Sequence, residues 1–336
     1  MRAYEIAEFG IDNLRETERK LPDLQANEVL VKFHAASLNY RDLLMVKGEY
    51  NPNLKLPMIP FSDGAGEIID VGADVEKWEP GDRVMPTFMQ GWLDGDIDFK
   101  KARTALGGDL DGVLCEYAAI PQYGLVKIPD HLSYEEAATL PCAGVTAWNA
   151  VNFSGAVQSG DTVLLMGTGG VSVFGLQFAK NLGAETIVTS SSDEKLEMAS
   201  TLGASHTINY KTNPDWEKEV VEITGKRGVD HVLEIGGAGT LRKSISSVRM
   251  GGHIAVIGIL SGKGEFDPLT ILMKAVKLHG IFVGSRFMFE NMCERIQDEY
   301  LKPVVDSVFE FEDVKEALRY MESGKHFGKI VLRIGS

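Results

Sequence analysis

Glycines follow an apolar run within residues 163–175, and residues of these types at this spacing can hold a phosphate group. The apolar residues Val163–Met166 lead into Gly167 and Gly169, and apolar residues then return at helical spacing, which predicts a strand, a tight turn and a helix. Without side chains in the turn, backbone N–H groups and a helix N-terminus can approach a pyrophosphate. The sequence therefore predicts a dinucleotide site, whose turn comprises Gly167, Thr168, Gly169, Gly170 and Val171.

Ser172 occupies the third position of the G-x-G-x-x-G pattern, and we expect this small residue to let the helix lie close to the strand. The alternative is that the glycines only interrupt a loop. The residues that follow favour the nucleotide site, because the helix is predicted to end at Leu182–Gly183 and Glu185–Thr189 has the composition of a second buried strand. This order predicts a βαβ unit.

The same alternation continues along the chain. Asp193 is placed to cap a helix over residues 194–202, and a third strand is predicted at His206–Tyr210. Further strands are predicted at residues 228–235, 252–258 and 278–283. Strands that alternate with helices form a parallel sheet covered on both faces, and ligands bind beyond the carboxyl ends of its strands. We therefore predict an α/β, doubly wound dinucleotide-binding domain at residues 125–285.

Residues 1–124 have a different pattern. Short runs such as Glu28–His34 alternate apolar and polar residues between Gly, Pro and Asp turns, which predicts an irregular β domain. Residues 86–112 lack periodicity, and loops of this length are usually disordered or functional. A capping box at Ser133–Glu136 predicts a helix. Residues 286–336 are expected to fold back on the first domain.

Composition limits the classes of partner. The 336 residues include 48 acidic and 34 basic residues, a formal net charge of −14, and no basic run that could neutralise a phosphate backbone, so nucleic acid and anionic membranes are not expected as partners. The N-terminus lacks the apolar core of a signal peptide, and no apolar stretch approaches the ~20 residues of a membrane span. We expect a cytoplasmic protein that acts on a small molecule.

The three cysteines, Cys115, Cys142 and Cys293, are far apart in the sequence. An odd number at such spacing does not suggest a disulfide framework, which fits a reducing compartment. There is also no Cys-x-x-Cys pair of the kind that structural zinc sites use.

The glycine turn, together with Pro60–Gly66, Gly81–Val84 and Leu140–Trp148, resembles the medium-chain dehydrogenase/reductase superfamily over nearly the whole chain. The chain is similar to zinc-containing alcohol dehydrogenases in order and spacing, and closer in its active-site residues to the zinc-free quinone oxidoreductase branch. The resemblance implies a GroES-like (chaperonin-10-like) β domain, residues 1–124 and 286–336, interrupted by a Rossmann domain. It also implies an NAD(P)-dependent oxidoreductase that forms a homodimer, and apolar residues 254–260 could pair at a sheet edge across that dimer.

The positions that match the catalytic zinc ligands of the family hold Asn39, Ser62 and Cys142. A catalytic zinc needs about three protein ligands, and one thiol does not retain it. The four cysteines of the family's structural zinc are also missing. We therefore expect no metal, and we interpret Cys142 as a small buried hydrophobic residue.

Without a metal, the reduction of a polarised double bond by hydride is easier than the oxidation of a simple alcohol, because hydrogen-bond donors can stabilise a developing enolate or quinolate. Asn39 could hold a carbonyl oxygen, and Tyr40 could donate a hydrogen bond or, by way of water, a proton. The alternative is that Asn39 and Tyr40 form a turn with a packing aromatic ring. Arg41 and Asp42 are interpreted as a local structural pair. Four apolar or aromatic residues could line the substrate cleft or merely fix a loop: Tyr50, Phe61, Met89 and Trp92.

Cofactor choice depends on the end of the second strand, where NAD enzymes place an acidic residue about 20 positions after the glycines. Ser190 and Ser191 stand there instead, Lys195 could supply positive charge, and Tyr210 matches a position that binds the 2′-phosphate in relatives. NADP(H) is therefore preferred, with NAD(H) bound through Asp193 as the alternative. The resemblance assigns further cofactor contacts to Thr146, Gly236, Gly258, Ile259, Val283, Ser285 and Lys329. For Lys329 and Arg286 a surface salt bridge is an equally good interpretation.

These observations favour an NADPH-dependent, zinc-independent reductase of quinones or α,β-unsaturated carbonyl compounds. An alcohol dehydrogenase or aldehyde reductase of the same superfamily is a second interpretation. A cofactor-binding sensor or structural protein without catalysis is a third.

Overall fold

The structure, a computed structural model, describes residues 1–258, 262, 264–265 and 267–335. The chain forms two compact units, Met1–Val145 with Gly284–Ser336, and Thr146–Val283. The first boundary falls after Val145 and not at residue 124, because Leu125–Lys127 is a strand that pairs with Arg83–Pro86 of the first unit.

The strands and helices are numbered in chain order. The strands are β1 (Arg2–Ile6), β2 (Leu14–Glu18), β3 (Glu28–Ser37), β4 (Asp63–Val71), β5 (Arg83–Pro86), β6 (Tyr117–Pro121), β7 (Leu125–Lys127), β8 (Thr162–Met166), β9 (Glu185–Ser190), β10 (His206–Asn209), β11 (Val229–Glu234), β12 (Val248–Val256), β13 (Lys277–Gly280), β14 (Val305–Glu310) and β15 (Lys329–Arg333). The helices are α1 (Tyr40–Lys47), α2 (Phe99–Ala102), α3 (Tyr134–Ala137), α4 (Val145–Trp148), α5 (Gly170–Asn181), α6 (Asp193–Leu202), α7 (Trp216–Ile223), α8 (Leu241–Ser247), α9 (Leu269–Lys274), α10 (Arg286–Asp298) and α11 (Val314–Glu322).

The first unit is an irregular β domain of the GroES-like type. Its larger sheet has the order β14-β15-β3-β4-β5-β7, with β6 paired to β3, and β1 and β2 form a separate antiparallel pair. β15 pairs antiparallel with β3, so the end of the chain returns to the first domain as expected. Its buried core includes Phe33, Phe61 and Phe311.

The stretch without periodicity, residues 86–112, is packed and partly regular. It contains α2 and isolated bridges between Met89 and Ala105 and between Leu106 and Leu110. Met89 and Trp92 are buried, and the indole N–H of Trp92 donates to the Gly95 carbonyl at 2.8 Å. These aromatic and apolar side chains therefore fix the loop from inside.

The second unit is a Rossmann-type parallel sheet with the order β10-β9-β8-β11-β12-β13. All five residues of β8 are buried, as expected for a central strand. The strand order reverses between β8 and β11, so their carboxyl ends form the switch point at which such sheets bind ligands.

The expected sheet edge at residues 254–260 is wrong. Ile254–Val256 belongs to β12, which pairs with β11 on one side and β13 on the other. The strand at this edge of the sheet is therefore β13. Residues 259 and 260 lie outside the described part of the chain. Along the described residues, none of the helices combines the length and the apolar composition required for a membrane crossing.

Candidate functional site

The glycine turn after β8 leaves open space above its backbone. Gly167 has a φ of +75°, a conformation that favours glycine, and Gly169 is the residue that precedes α5. A Cβ atom built at Gly167 or Gly169 would meet no atom within 4 Å. The first N–H groups of α5 are thus accessible, which fits a pyrophosphate held at a helix N-terminus.

The two small residues further along α5 have separate roles. The Ser172 hydroxyl donates to the Met166 carbonyl at 2.6 Å and so ties the helix to the end of β8. A close approach of helix and sheet occurs at Gly175, where a Cβ atom would lie 2.7 Å from Leu233 and 2.9 Å from Leu165. Gly175, which the sequence analysis did not single out, is therefore a second position at which a small residue allows α5 to approach the sheet.

The end of β9 carries hydroxyl groups and no carboxylate. Ser190 is buried, its Oγ accepts from the Ser192 N–H at 3.3 Å, and its carbonyl accepts from the Tyr210 N–H at 3.0 Å. Ser191 is half-buried, and the Tyr210 side chain is exposed. Ser190 and Tyr210 are thus brought together, as the cofactor prediction requires.

Ser192, and not Asp193, caps α6. Its Oγ accepts from the Lys195 N–H at 3.4 Å, while Asp193 is the first helical residue. The correction matters for the cofactor, because Asp193 is the carboxylate of the NAD alternative and its Oδ1 accepts from Asn209 Nδ2 at 2.6 Å.

The carboxyl end of β11 holds a buried acid that the sequence analysis did not single out. Glu234 is fully buried, and its Oε1 accepts from the N–H groups of Gly236 at 2.8 Å and Gly237 at 3.0 Å. Gly258 lies beside this turn, where a Cβ atom would be 2.0 Å from the Ile235 carbonyl oxygen. Gly236 and Gly258 are therefore at the ends of β11 and β12, as predicted. An acidic residue at the end of a predicted strand, directly after Val232 and Leu233, was the signal for Glu234.

Three of the remaining predicted cofactor residues lie in the sequence at or next to the limits of the second unit. Thr146 is buried at the start of the second unit, and the Val283 carbonyl accepts from Asn149 Nδ2 at 2.8 Å. Ser285 caps α10, where its Oγ accepts from the Met288 N–H at 3.2 Å. Ile259 lies outside the described residues.

Lys329 and Asn39 are joined inside the first unit. Lys329 is only 3% exposed, and its Nζ donates to the Leu38 carbonyl and to Asn39 Oδ1, both at 2.6 Å. The surface salt bridge considered for Lys329 is therefore wrong. Arg286, in contrast, pairs with Glu290 at 2.9 Å, one turn along α10.

Asn39 precedes α1 and is 8% exposed. Its backbone N–H donates to Asp42 Oδ2 at 2.8 Å. Its side-chain Nδ2 is shielded from water and makes no hydrogen bond of ordinary geometry within the described residues, although it is close enough to the Asp63 carboxyl to lower the pKa of that group. A buried donor without a partner costs about 1–3 kcal/mol, so this amide is suited to an acceptor supplied by a ligand.

Two fully buried carboxylates, Asp42 and Asp63, lie near this lysine. Burial raises the pKa of Asp63, against the opposing effects of Lys329, the Ser62 hydroxyl and the Asn39 amide. Burial raises the pKa of Asp42 to about 7, with Arg41 as the largest opposing influence. The cluster therefore combines buried negative charge with the ammonium group of Lys329.

The positions that match metal ligands in relatives are occupied by this hydrogen-bond network. The Ser62 hydroxyl donates to Asp63 Oδ1 at 2.6 Å, and the Cys142 N–H donates to Asp63 Oδ2 at 3.0 Å. Cys142 is half-buried, and burial together with the nearby Asp63 carboxylate raises the pKa of its thiol well above its usual range. In the described part of the chain, no group of three or more His, Cys, Asp or Glu side chains is placed to hold a metal ion.

Tyr40, the first residue of α1, is 46% exposed and so is accessible to a ligand. The next residue, Arg41, donates to the Leu106 carbonyl at 2.9 Å and the Gly107 carbonyl at 3.2 Å. Its guanidinium also lies 4.7 Å from the ring centre of Phe88. The start of α1 and the loop of residues 86–112 are thus held together.

Comparisons with known proteins agree with this architecture. The family model described as alcohol dehydrogenase GroES-like domain matches residues 25–130, and the one described as zinc-binding dehydrogenase matches residues 170–298. The chain is 48% identical over 333 residues to a zinc-type alcohol dehydrogenase-like protein of Schizosaccharomyces pombe, covering 97% of this chain and 96% of that protein.

Two further relatives are named for different activities. A 2-methylene-furan-3-one reductase of Solanum lycopersicum is 30% identical over 339 residues, covering 99% of this chain and 79% of that protein. The crystal structure of an NAD-dependent alcohol dehydrogenase has a TM-score of 0.90, 34% sequence identity and 100% coverage of both chains. The chain therefore belongs to the medium-chain dehydrogenase/reductase superfamily, as an alcohol dehydrogenase-like oxidoreductase of the NAD(P)-dependent type.

Proposed function

We propose that this oxidoreductase is a cytoplasmic, zinc-independent enzyme that uses NADPH to reduce quinones or α,β-unsaturated carbonyl compounds. The observation that carries the proposal is the donor Nδ2 of Asn39, buried and unpartnered at a position where zinc-type relatives have a ligand. The reductase of Solanum lycopersicum supports this substrate class, since its name describes the reduction of an unsaturated ketone.

The preference for NADPH rests on the end of β9. Ser190, Ser191 and Tyr210 are neutral, so they would not repel a 2′-phosphate, and their hydroxyl groups can donate to it. Lys195 lies in the first turn of the adjacent helix. The open turn at Gly167 and Gly169 would hold the pyrophosphate.

A bound reduced nicotinamide supplies a hydride. Negative charge then develops on the substrate oxygen, and the Asn39 amide and the Tyr40 hydroxyl are the donors that would stabilise it. Tyr40 can also pass a proton to the substrate and recover it from solvent, because its side chain is exposed.

A screen of quinones, enones, aldehydes and alcohols with NADPH and NADH tests the proposal, together with elemental analysis for zinc. We expect turnover of quinones or enones with NADPH and no stoichiometric zinc. Activity restricted to alcohols or aldehydes, or one zinc per chain, would contradict it. Tyr40→Phe should slow turnover and leave cofactor affinity unchanged, whereas unchanged turnover removes Tyr40 from the mechanism.

Alcohol dehydrogenase or aldehyde reductase activity is the second candidate, favoured by the names of the Schizosaccharomyces pombe protein and of the NAD-dependent alcohol dehydrogenase. The third candidate is a cofactor-binding sensor or structural protein without catalysis, which turnover below background with every class of carbonyl compound would indicate.

We further propose a homodimer formed through the edge strand β13, near which Leu272 and Phe282 are exposed. Light scattering that gives the monomer mass would exclude it.

A further inference from the structure

We propose that Lys329 is a positioning residue, whose ammonium group orients the amide of Asn39 and provides, through it, positive charge for the oxyanion that forms on the substrate. The inference rests on the proposed function. It adds a role for a side chain that is too deeply buried to be a surface cation.

The hydrogen bond from Lys329 fixes the orientation of the Asn39 amide. An asparagine amide has one accepting and one donating end, and Lys329 can only donate. Since Nζ lies 2.6 Å from one end of the amide, that end must be the accepting oxygen. The donating Nδ2 is therefore at the other end of the amide, where it lowers the pKa of the Asp63 carboxyl but makes no hydrogen bond of ordinary geometry within the described residues.

Strand pairing holds the two residues in place. Lys329 begins β15 and Asn39 follows β3 by two residues, and these strands pair with Val331 opposite Ser37. The Leu38 N–H donates to the Ile330 carbonyl at 3.0 Å, so the ladder continues up to the site. The contact between Lys329 and Asn39 is thus built into a sheet and does not depend on a flexible loop.

The positive charge of Lys329 compensates the negative charge of two buried carboxylates at the site. Asp42 and Asp63 are fully buried nearby, and Lys329 favours the ionised form of both. Without this ammonium, an oxyanion would form beside an Asp63 carboxylate that has lost its largest compensating influence, while Arg41 would still act on Asp42. With it, the hydrogen bond to Oδ1 polarises the amide and strengthens Nδ2 as a donor in a site shielded from water.

The test compares Lys329→Met with Lys329→Arg, using Lys325→Met as a control that removes an exposed lysine from the segment just before β15. With NADPH and an enone or quinone that the wild type reduces, we expect kcat of Lys329→Met to fall about 100-fold, the size typical for loss of an oxyanion-stabilising group. NADPH affinity, measured by fluorescence titration, should change less than about threefold. Lys329→Arg should recover part of kcat, and Lys325→Met should behave as the wild type. Unchanged kcat, or a loss confined to NADPH affinity, overturns the proposal and assigns Lys329 to packing or to the cofactor.

A second measurement needs no substrate and so separates this inference from the proposed function. Unfolding of Lys329→Met is compared with the wild type at pH 5 and pH 8. The loss of stability should be larger at pH 8, because Asp42 and Asp63 both have raised pKa values and, without the ammonium group, take up protons more readily as the pH falls. An equal loss at both pH values shows that Lys329 does not act through its charge and rejects the inference. If the wild type reduces no enone or quinone, the proposed function fails, and with it the catalytic part of this role.

Discussion

Asp193 accepts a hydrogen bond from the side-chain amide of Asn209, with 2.6 Å between Asp193 Oδ1 and Asn209 Nδ2. The bond ties the first turn of α6 to the end of β10 and engages the carboxylate that could have bound the ribose of NAD. Ser190, at the end of β9, occupies the position at which NAD enzymes place an acidic residue.

Ser190→Asp should reverse the cofactor preference. A carboxylate at the end of β9 would repel a 2′-phosphate and accept from a ribose 2′-OH, so NADPH affinity should fall ten- to a hundredfold, or about 1.5–3 kcal/mol. NADH affinity should be retained or rise. Fluorescence titration with both cofactors measures this, and Asp193→Asn is the matched control, in which NADPH binding should persist. Tighter NADH binding by the wild type would remove the basis of the prediction.

Arg41→Met should loosen the loop of residues 86–112. The variant loses the hydrogen bonds to the Leu106 and Gly107 carbonyls and the contact with Phe88, which together are worth about 2–3 kcal/mol. We expect faster limited proteolysis within this loop and a higher KM for the carbonyl substrate, with NADPH affinity unchanged.

Arg41→Lys serves as the comparison, because an ammonium group cannot donate to both carbonyls in the geometry of a guanidinium. It should show an intermediate rate of proteolysis. Rates equal to the wild type in both variants would mean that other contacts hold the loop.

How far the sequence predicted this site depends on how local each feature is. The turn at Gly167 and the helix after it follow from adjacent residues, and so does the capping box at Ser133, whose Oγ accepts from the Glu136 N–H at 3.1 Å. The burial of Lys329 does not, because it depends on a pairing between strands almost three hundred residues apart.

The same reasoning explains two errors. The unit boundary was placed too early because β7 is a three-residue strand that only its pairing with β5 assigns to the first unit. The apolar run at residues 254–260 was predicted to lie at a sheet edge, because an apolar composition alone does not show that a further strand, β13, pairs with β12. Asn39 and Tyr40 were located from their motif, whereas their partners required the fold.

Asp42→Asn should change how stability depends on pH. In the folded protein burial raises the pKa of Asp42 to about 7, above an unfolded value of about 3.9. A raised pKa means that this group's contribution is fully present below pH 4 and is lost as the pH rises through 7. The wild type should therefore lose on the order of 3 kcal/mol relative to Asp42→Asn between pH 4 and pH 8. Urea unfolding at several pH values measures the difference, and parallel curves for the two proteins contradict it.

His253→Gln should reduce the loss of stability that the wild type undergoes as the pH falls. His253 is buried on β12, where its Nε2 lies 2.8 Å from Ser154 Oγ, and burial together with the charges of His231 and His279 lowers its pKa to about 4. Because the unfolded value is about 6.5, the unfolded chain binds a proton first as the pH falls, and stability is lost between pH 6.5 and pH 4. The positive charge of Lys277, opposite His253 on β13, also lowers the pKa of His253.

The glutamine variant keeps a hydrogen-bonding group for Ser154 and cannot be protonated in this range. Its stability should therefore decline by about 2 kcal/mol less than that of the wild type between pH 6.5 and pH 4, after allowance for partial solvent screening. Lys277→Gln is the control, since it lowers the local positive charge without removing the titrating group. It should also reduce the loss of stability between pH 6.5 and pH 4, but by less than His253→Gln does. Thermal unfolding followed by circular dichroism across this pH range gives the comparison, and an acid transition that is the same in the wild type and His253→Gln would show that His253 is protonated at no cost in the folded state.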